Sequence, residues 1–180
     1  MTLEIYRASE ENTILAYEFL SLSPAKISLK HKEREKVTWN AAGDALQLKP
    51  LPEAPKPAPS ATARLVQMRQ LARRFTAREK IKSGDVQCRL LSQPIDRYHS
   101  EEEKIVDGAI FVYANGTNPE LGVLLECDEK GWSYGIARLT SAESKIELDG
   151  KEVASFLHGD FGLKGQANYA STSHPITAAR

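Results

Sequence analysis

Along most of this chain apolar and polar side chains alternate singly, the period of a strand with one buried face. Ile27 and Leu29 alternate with Lys26, Ser28 and Lys30, and Val37 and Trp39 with Lys36, Thr38 and Asn40. Ile14 to Leu20 is apolar on both faces apart from Glu18, which suits a more central strand. Leu46 and Leu48 resume the alternation after a turn at Ala42-Gly43-Asp44. Period two returns in 86–91, 105–113, 121–127, 132–139, 145–149 and 152–157. Short turns at Asn115-Gly116, Asp128-Glu129-Lys130-Gly131 and Asp149-Gly150 make antiparallel neighbours, so the second half is predicted to be a β-meander.

One stretch breaks this rhythm. Leu65, Met68, Leu71, Ala72 and Phe75 recur at helical spacing, with Ser60 or Thr62 as N-cap and Gly84 beyond the end. The spacing predicts one long amphipathic helix over 61–82. Ahead of it, residues 49–60 carry five prolines, which exclude helix and central strand and read as a semi-rigid extended linker. The tail 158–180 mixes glycine with small and polar residues without periodicity and is expected to be disordered. The fold class is therefore α+β, mainly antiparallel sheet. Its expected parts are an abbreviated N-terminal β-unit at 1–48, the linker at 49–60, a helix plus β-meander domain at 61–157, and the tail.

The two β-rich ends share a pattern. Tyr17, Leu22, Ser23, Ala25, Lys26, Ile27, Leu29, Val37 and Trp39 find counterparts in Tyr134, Leu139, Thr140, Ala142, Lys145, Ile146, Leu148, Val153 and Phe156, with two extra residues in the second copy. Two related, divergent β-units are expected. The first lacks a counterpart to the strand pair at 105–127, except that Leu3 to Tyr6 stand opposite Leu124 to Cys127. An incomplete sheet presents unpaired N–H and C=O groups. Either the chain starts downstream of a longer natural beginning, or a neighbouring subunit supplies the strand. The expected partner is a protein or a second copy joined through an exposed strand edge.

Composition narrows the picture modestly. Hydrophobic residues make up 41% and charged residues 27%, and 24 basic side chains balance 24 acidic ones, so no net field draws the chain to polyanions. The longest apolar run, Ala109 to Ala114, is too short to span a bilayer, and no leader pattern opens the chain. Cytoplasmic residence without membrane association is expected. Cys88 and Cys127 lie in apolar strand-like segments and read as buried thiols. Asn115-Gly116-Thr117 matches a glycosylation acceptor, but Asn-Gly reads better as a hairpin turn.

Candidate chemistry is sparse. His31, His99, His158 and His174 show no metal-ligand spacing, so neither a metal nor another cofactor is expected. Ser23-Pro24-Ala25-Lys26 matches Ser-x-x-Lys without the accompanying elements, and Asp160-Phe161-Gly162 stands without a kinase framework. Asp96, His99 and Glu101 are near enough to form an acid–base set if a loop folds them over a pocket. The segment 61–82 sets seven cations against Glu79 alone, with Arg69, Arg73, Arg74 and Arg78 as the candidate interaction surface. Such a helix could lie along phosphates. Against that, residues 99–160 hold thirteen acids and five bases, so basic helix and acidic sheet can complement each other.

Arg89-Leu90-Leu91, Gln93-Pro94, Arg97-Tyr98, Asp107-Gly108-Ala109-Ile110-Phe111, Gly116-Thr117-Asn118-Pro119-Glu120, Leu125-Glu126, Trp132, Tyr134 and Arg138 form a string that resembles a group of uncharacterised bacterial, planctomycete proteins. In that group Asp usually stands where this chain has Asn118, and the first half is fuller. The resemblance brings no activity, cofactor or catalytic residue. The expected role is a non-enzymatic protein–protein interaction or structural module. One alternative is nucleic-acid binding through the basic helix 61–82. The other is a small-molecule binder or hydrolase built on Asp96, His99 and Glu101.

Overall fold

A computed structural model describes residues 2–7, 14–23, 25–31, 34–41, 46–159 and 169–175. The chain divides into two units, one made of 1–46 together with 159–180 and the other of 47–158.

In the first unit, strands β1 (Thr2–Arg7) and β15 (Tyr169–Pro175) flank β2 (Ile14–Leu20), both antiparallel to it. Strands β3 (Ile27–His31) and β4 (Arg34–Ala41) form a separate antiparallel hairpin. Phe19, Trp39, Ala41 and Ala170 make the core, and the Phe19 and Trp39 rings stack with centroids 5.8 Å apart. Glu18, the polar exception in β2, is buried and accepts the Tyr169 hydroxyl at 2.9 Å.

Residues 169–175 thus overturn the expectation of a wholly disordered tail. Backbone pairing to β2, together with the Tyr169 hydroxyl bond, fixes a stretch whose side chains alone carry no strand signature. The turn at 42–44 and Asp160-Phe161-Gly162 lie outside the described residues.

The second unit has two antiparallel sheets and one helix. Strand β5 (Lys49–Pro50), β12 (Trp132–Arg138), β11 (Asn118–Cys127), β10 (Ile105–Asn115) and β8 (Arg89–Leu90) lie side by side in that order, and β9 (Asp96–Ser100) also pairs with β10. The other sheet runs β14 (Lys151–Phe156), β13 (Glu143–Leu148), β6 (Phe75–Ile81), β7 (Gly84–Gln87). One core joins them: Met68, Leu71 and Ala72 from helix α1 (Ala61–Ala72), Phe111, Leu121, Val123 and Trp132 from the larger sheet, and Phe75, Ala77 and Ile146 from the smaller.

Three expectations change. First, the helix ends at Ala72 and the rest of 61–82 turns into β6, so there is no single long helix. In β6 Phe75, Ala77 and Glu79 are buried while Thr76 and Arg78 are half-buried and Lys80 is exposed; a buried Glu79 hid the period of two. Second, the proline-rich segment is bound into the second unit. Lys49 and Pro50 pair with β12, Leu51 is buried and donates its N–H to the Trp132 carbonyl at 2.8 Å, and the Gln67 side chain accepts from Ala58 N and donates to Lys56 O. Third, the meander is split. Strands β10, β11 and β12 are consecutive neighbours, but β13 and β14 belong to the smaller sheet. The turns themselves follow the expected chemistry: Gly116 has φ 60° between paired Asn115 and Asn118, and Asp149 and Gly150 have φ 50° and 78°.

Candidate functional site

Strand β9 alternates, so Arg97 and His99 point to one face while Asp96, Tyr98 and Ser100 point to the other. Two consequences follow. Asp96 accepts the backbone N–H of Arg97, and His99 lines a recess of about 310 Å³ together with Ala61, Arg64, Arg97, Tyr98, Val106 and Asp107. Asp96 and Glu101 are absent from that lining, so the suggested acid–base set is not assembled around this recess.

Asp107 on β10 is the centre of the recess. Its Oδ1 accepts Arg97 Nε at 2.9 Å, and its Oδ2 accepts Arg97 Nη2 at 2.7 Å and Arg64 Nε at 2.8 Å. Burial is the largest influence on this carboxyl and pushes its pKa up. The hydrogen bonds from Arg97 and then Arg64 together outweigh it, and Asp107 sits below the ordinary carboxylate range. Arg64 comes from the first turn of α1, which Ser60 caps by accepting Ala63 N at 3.2 Å. Its Nη1 also donates to the carbonyls of Ala58 and Pro59, tying the end of the proline-rich segment to the same carboxylate.

On the opposite face of β9, the Tyr98 ring lies over Gly108. A Cβ at Gly108 would meet Tyr98 Cε2 at 2.6 Å, so only glycine admits the ring. The Tyr98 hydroxyl then donates to Glu126 Oε1 at 2.6 Å, and burial first, with Glu126 second, holds its pKa well above the usual phenol value. Arg97-Tyr98 and Asp107-Gly108 are therefore two halves of one clamp between β9 and β10.

The four arginines expected as an interaction surface are divided between α1, the turn after it and β6. Arg69 donates to the Gln93 side chain on one side of α1. Arg74 is bound to Asp149 at 2.5 and 3.2 Å and to the Pro52 carbonyl at 2.8 Å. Arg73 is exposed after the helix, and Arg78 is on β6. Across 61–82, the ion pairs Arg64–Asp107, Arg74–Asp149 and Lys80–Glu143 all reach acids between 99 and 160. Arg69, Arg73, Arg78 and Lys82 are left without an ion pair among the described residues.

A second groove, about 340 Å³, crosses the smaller sheet and is lined by Arg78, Lys80, Lys145, Asp85, Glu143 and Glu152 among others. With Glu79 its lining has four acids and three cations, so its charges are mixed and nearly balanced. Cys88 and Cys127 are free and buried, and burial foremost pushes their thiols up to about 12 and about 11, far from a reactive thiolate. Ser23 Oγ accepts Ala25 N at 3.1 Å, a local turn contact. Among the described residues no group of three or more His, Cys, Asp or Glu could hold a metal ion, and no helix is long and apolar enough to cross a membrane.

No protein-family model matches the chain, and comparisons with curated proteins and with solved structures return no match.

Proposed function

We propose that the protein is a non-enzymatic interaction module that associates with a second copy through the open edge of β1. The reading rests on the parallel between the units. In both, a hairpin (β1–β2 or β11–β12) is followed by a second hairpin (β3–β4 or β13–β14), and the second strand of the first hairpin takes a further strand on its other side, β15 or β5. The residue correspondence that pairs Tyr17 with Tyr134 and Ile27 with Ile146 falls on these matching strands.

The observation that carries the proposal is a difference. β11 has β10 on its far side, whereas no strand lies beyond β1 among the described residues. A free edge of this kind accepts another strand by backbone pairing. Antiparallel pairing of β1 with its symmetry mate about Ile5 sets Glu4 opposite Tyr6 and Leu3 opposite Arg7, with no like charges in register.

Sedimentation of the full chain over a range of concentrations tests this. A monomer–dimer equilibrium is expected. Successive residues of β1 direct their N–H groups alternately to β2 and to the open side, so of Glu4→Pro and Ile5→Pro the outward-facing one should abolish the dimer with the melting transition intact. A chain that stays monomeric at high concentration, or a dimer insensitive to both substitutions, refutes the proposal.

A further inference from the structure

We propose that the recess between β9, β10 and the start of α1 binds a small oxyanion, a carboxylate or a phosphate group, through the outer N–H groups of Arg64 and Arg97. The site does not depend on dimerisation. Its polar lining is rich in donors. Arg64 uses Nε and Nη1, and Arg97 uses Nε and Nη2, in the bonds to Asp107 and to the carbonyls of Ala58, Pro59 and Ala61. Nη2 of Arg64 and Nη1 of Arg97 make no hydrogen bond within the described residues, which leaves four N–H donors.

The charge points the same way. Two guanidiniums face one carboxylate, and that carboxylate already accepts three hydrogen bonds, so the cluster has an uncompensated positive charge. Asp107 also pre-orients both forks: with Nε and one terminal nitrogen of each guanidinium fixed, the remaining nitrogen has little freedom to lose on binding. The Arg64 and Asp107 side chains are only 12% and 6% exposed, while Arg97 is 32% exposed, so one cation sits at the mouth and the other at the floor. His99 adds an imidazole to the wall, and exposed Val106 gives an apolar flank against which the body of a ligand can rest. Planar, forked donors around a recess match carboxylate and phosphate geometry and offer nothing to a cation.

Titration calorimetry of the full chain with methyl phosphate and, separately, acetate, at ionic strength held constant with chloride, tests the site. Saturable binding of either is expected, and the stronger of the two identifies the anion class. The paired substitution Arg97→Gln with Asp107→Asn keeps the net charge of the cluster and leaves Arg64 its bonds to the Ala58 and Pro59 carbonyls, yet removes the outer fork. It should weaken binding about tenfold or more, as loss of a charge-assisted pair implies. His99→Ala alters only the exposed wall and serves if the paired variant fails to fold; it should weaken binding by about threefold, since one hydrogen-bonding side chain of the wall is lost. No saturation by either anion with the wild-type chain overturns the proposal. So does binding unchanged in the paired variant, or unchanged in His99→Ala where that variant decides, because the cluster is then structural only.

Discussion

Gly108 shows how much one missing methyl group decides. With the Tyr98 ring 2.6 Å from where a Cβ would stand, Gly108→Ala must displace the ring and its hydrogen bond to Glu126, at a cost of about 1–3 kcal/mol. In a Tyr98→Ala background most of that cost should vanish, and a double-mutant cycle read by chemical denaturation checks the coupling. Asp107→Asn should cost about 2 kcal/mol near neutral pH. Because Asp107 is depressed in the fold, its contribution is complete above the unfolded carboxyl value of about 4 and is lost as pH falls through the folded value. The stability gap between wild type and Asp107→Asn should therefore be flat from pH 7 to about 5 and close in stronger acid, as denaturant midpoints at stepped pH will report. Neither role could be read from the chain. Arg97 and Asp107 stand out as motif residues, but the clamp exists only in the β9–β10 register, where Arg97 lies opposite Ala109 and Tyr98 opposite Gly108.

At the scale of elements, alternation locates strands well wherever their inward positions are apolar, as in β10, β11 and β12. It fails at β6, where buried Glu79 interrupts the apolar face, and at β15, whose pairing is made by backbone groups and whose residues carry no periodic signal. The helix is legible at its start, where Ser60 caps it, and misleading at its end, because Phe75 continues the helical stripe by coincidence while facing the core from a strand. That boundary matters for function. A continuous basic helix would present its arginines along one rod, whereas here Arg78, Lys80 and Lys82 follow from a sheet and three cations of the segment are in ion pairs. Affinity for duplex DNA should be weak, and the slope of its logarithm against log salt should correspond to about four phosphates or fewer, measured by fluorescence anisotropy. A slope of six or seven would mean that the ion pairs open on binding.

For the whole molecule, the abundance of antiparallel sheet was legible. The division of the chain was less so. Sequence places the boundary around a proline-rich linker, yet those prolines are anchored by β12, Gln67 and Arg64, and the division between units falls earlier, between 46 and 47. Composition identifies a stretch that cannot be helix; it does not say which partner will satisfy its carbonyls. The recess around Asp107 is the extreme case, since it needs α1, β9 and β10 together before any of its charges meet.

The first unit is written in two instalments, with the second unit as a parenthesis between them: Tyr169 closes on Glu18 across 151 positions. On the ribosome this fixes an order of events. Residues 47–158 can emerge and settle while the opening strands wait, and β2 acquires its second neighbour only when the closing strand is released. At an elongation rate of about 5–20 residues per second that wait lasts on the order of 10 s, during which the nascent N-terminal hairpin has an extra open edge. A nascent-chain folding profile would accordingly show two separate steps, the later one arriving only after residues 169–175 have emerged.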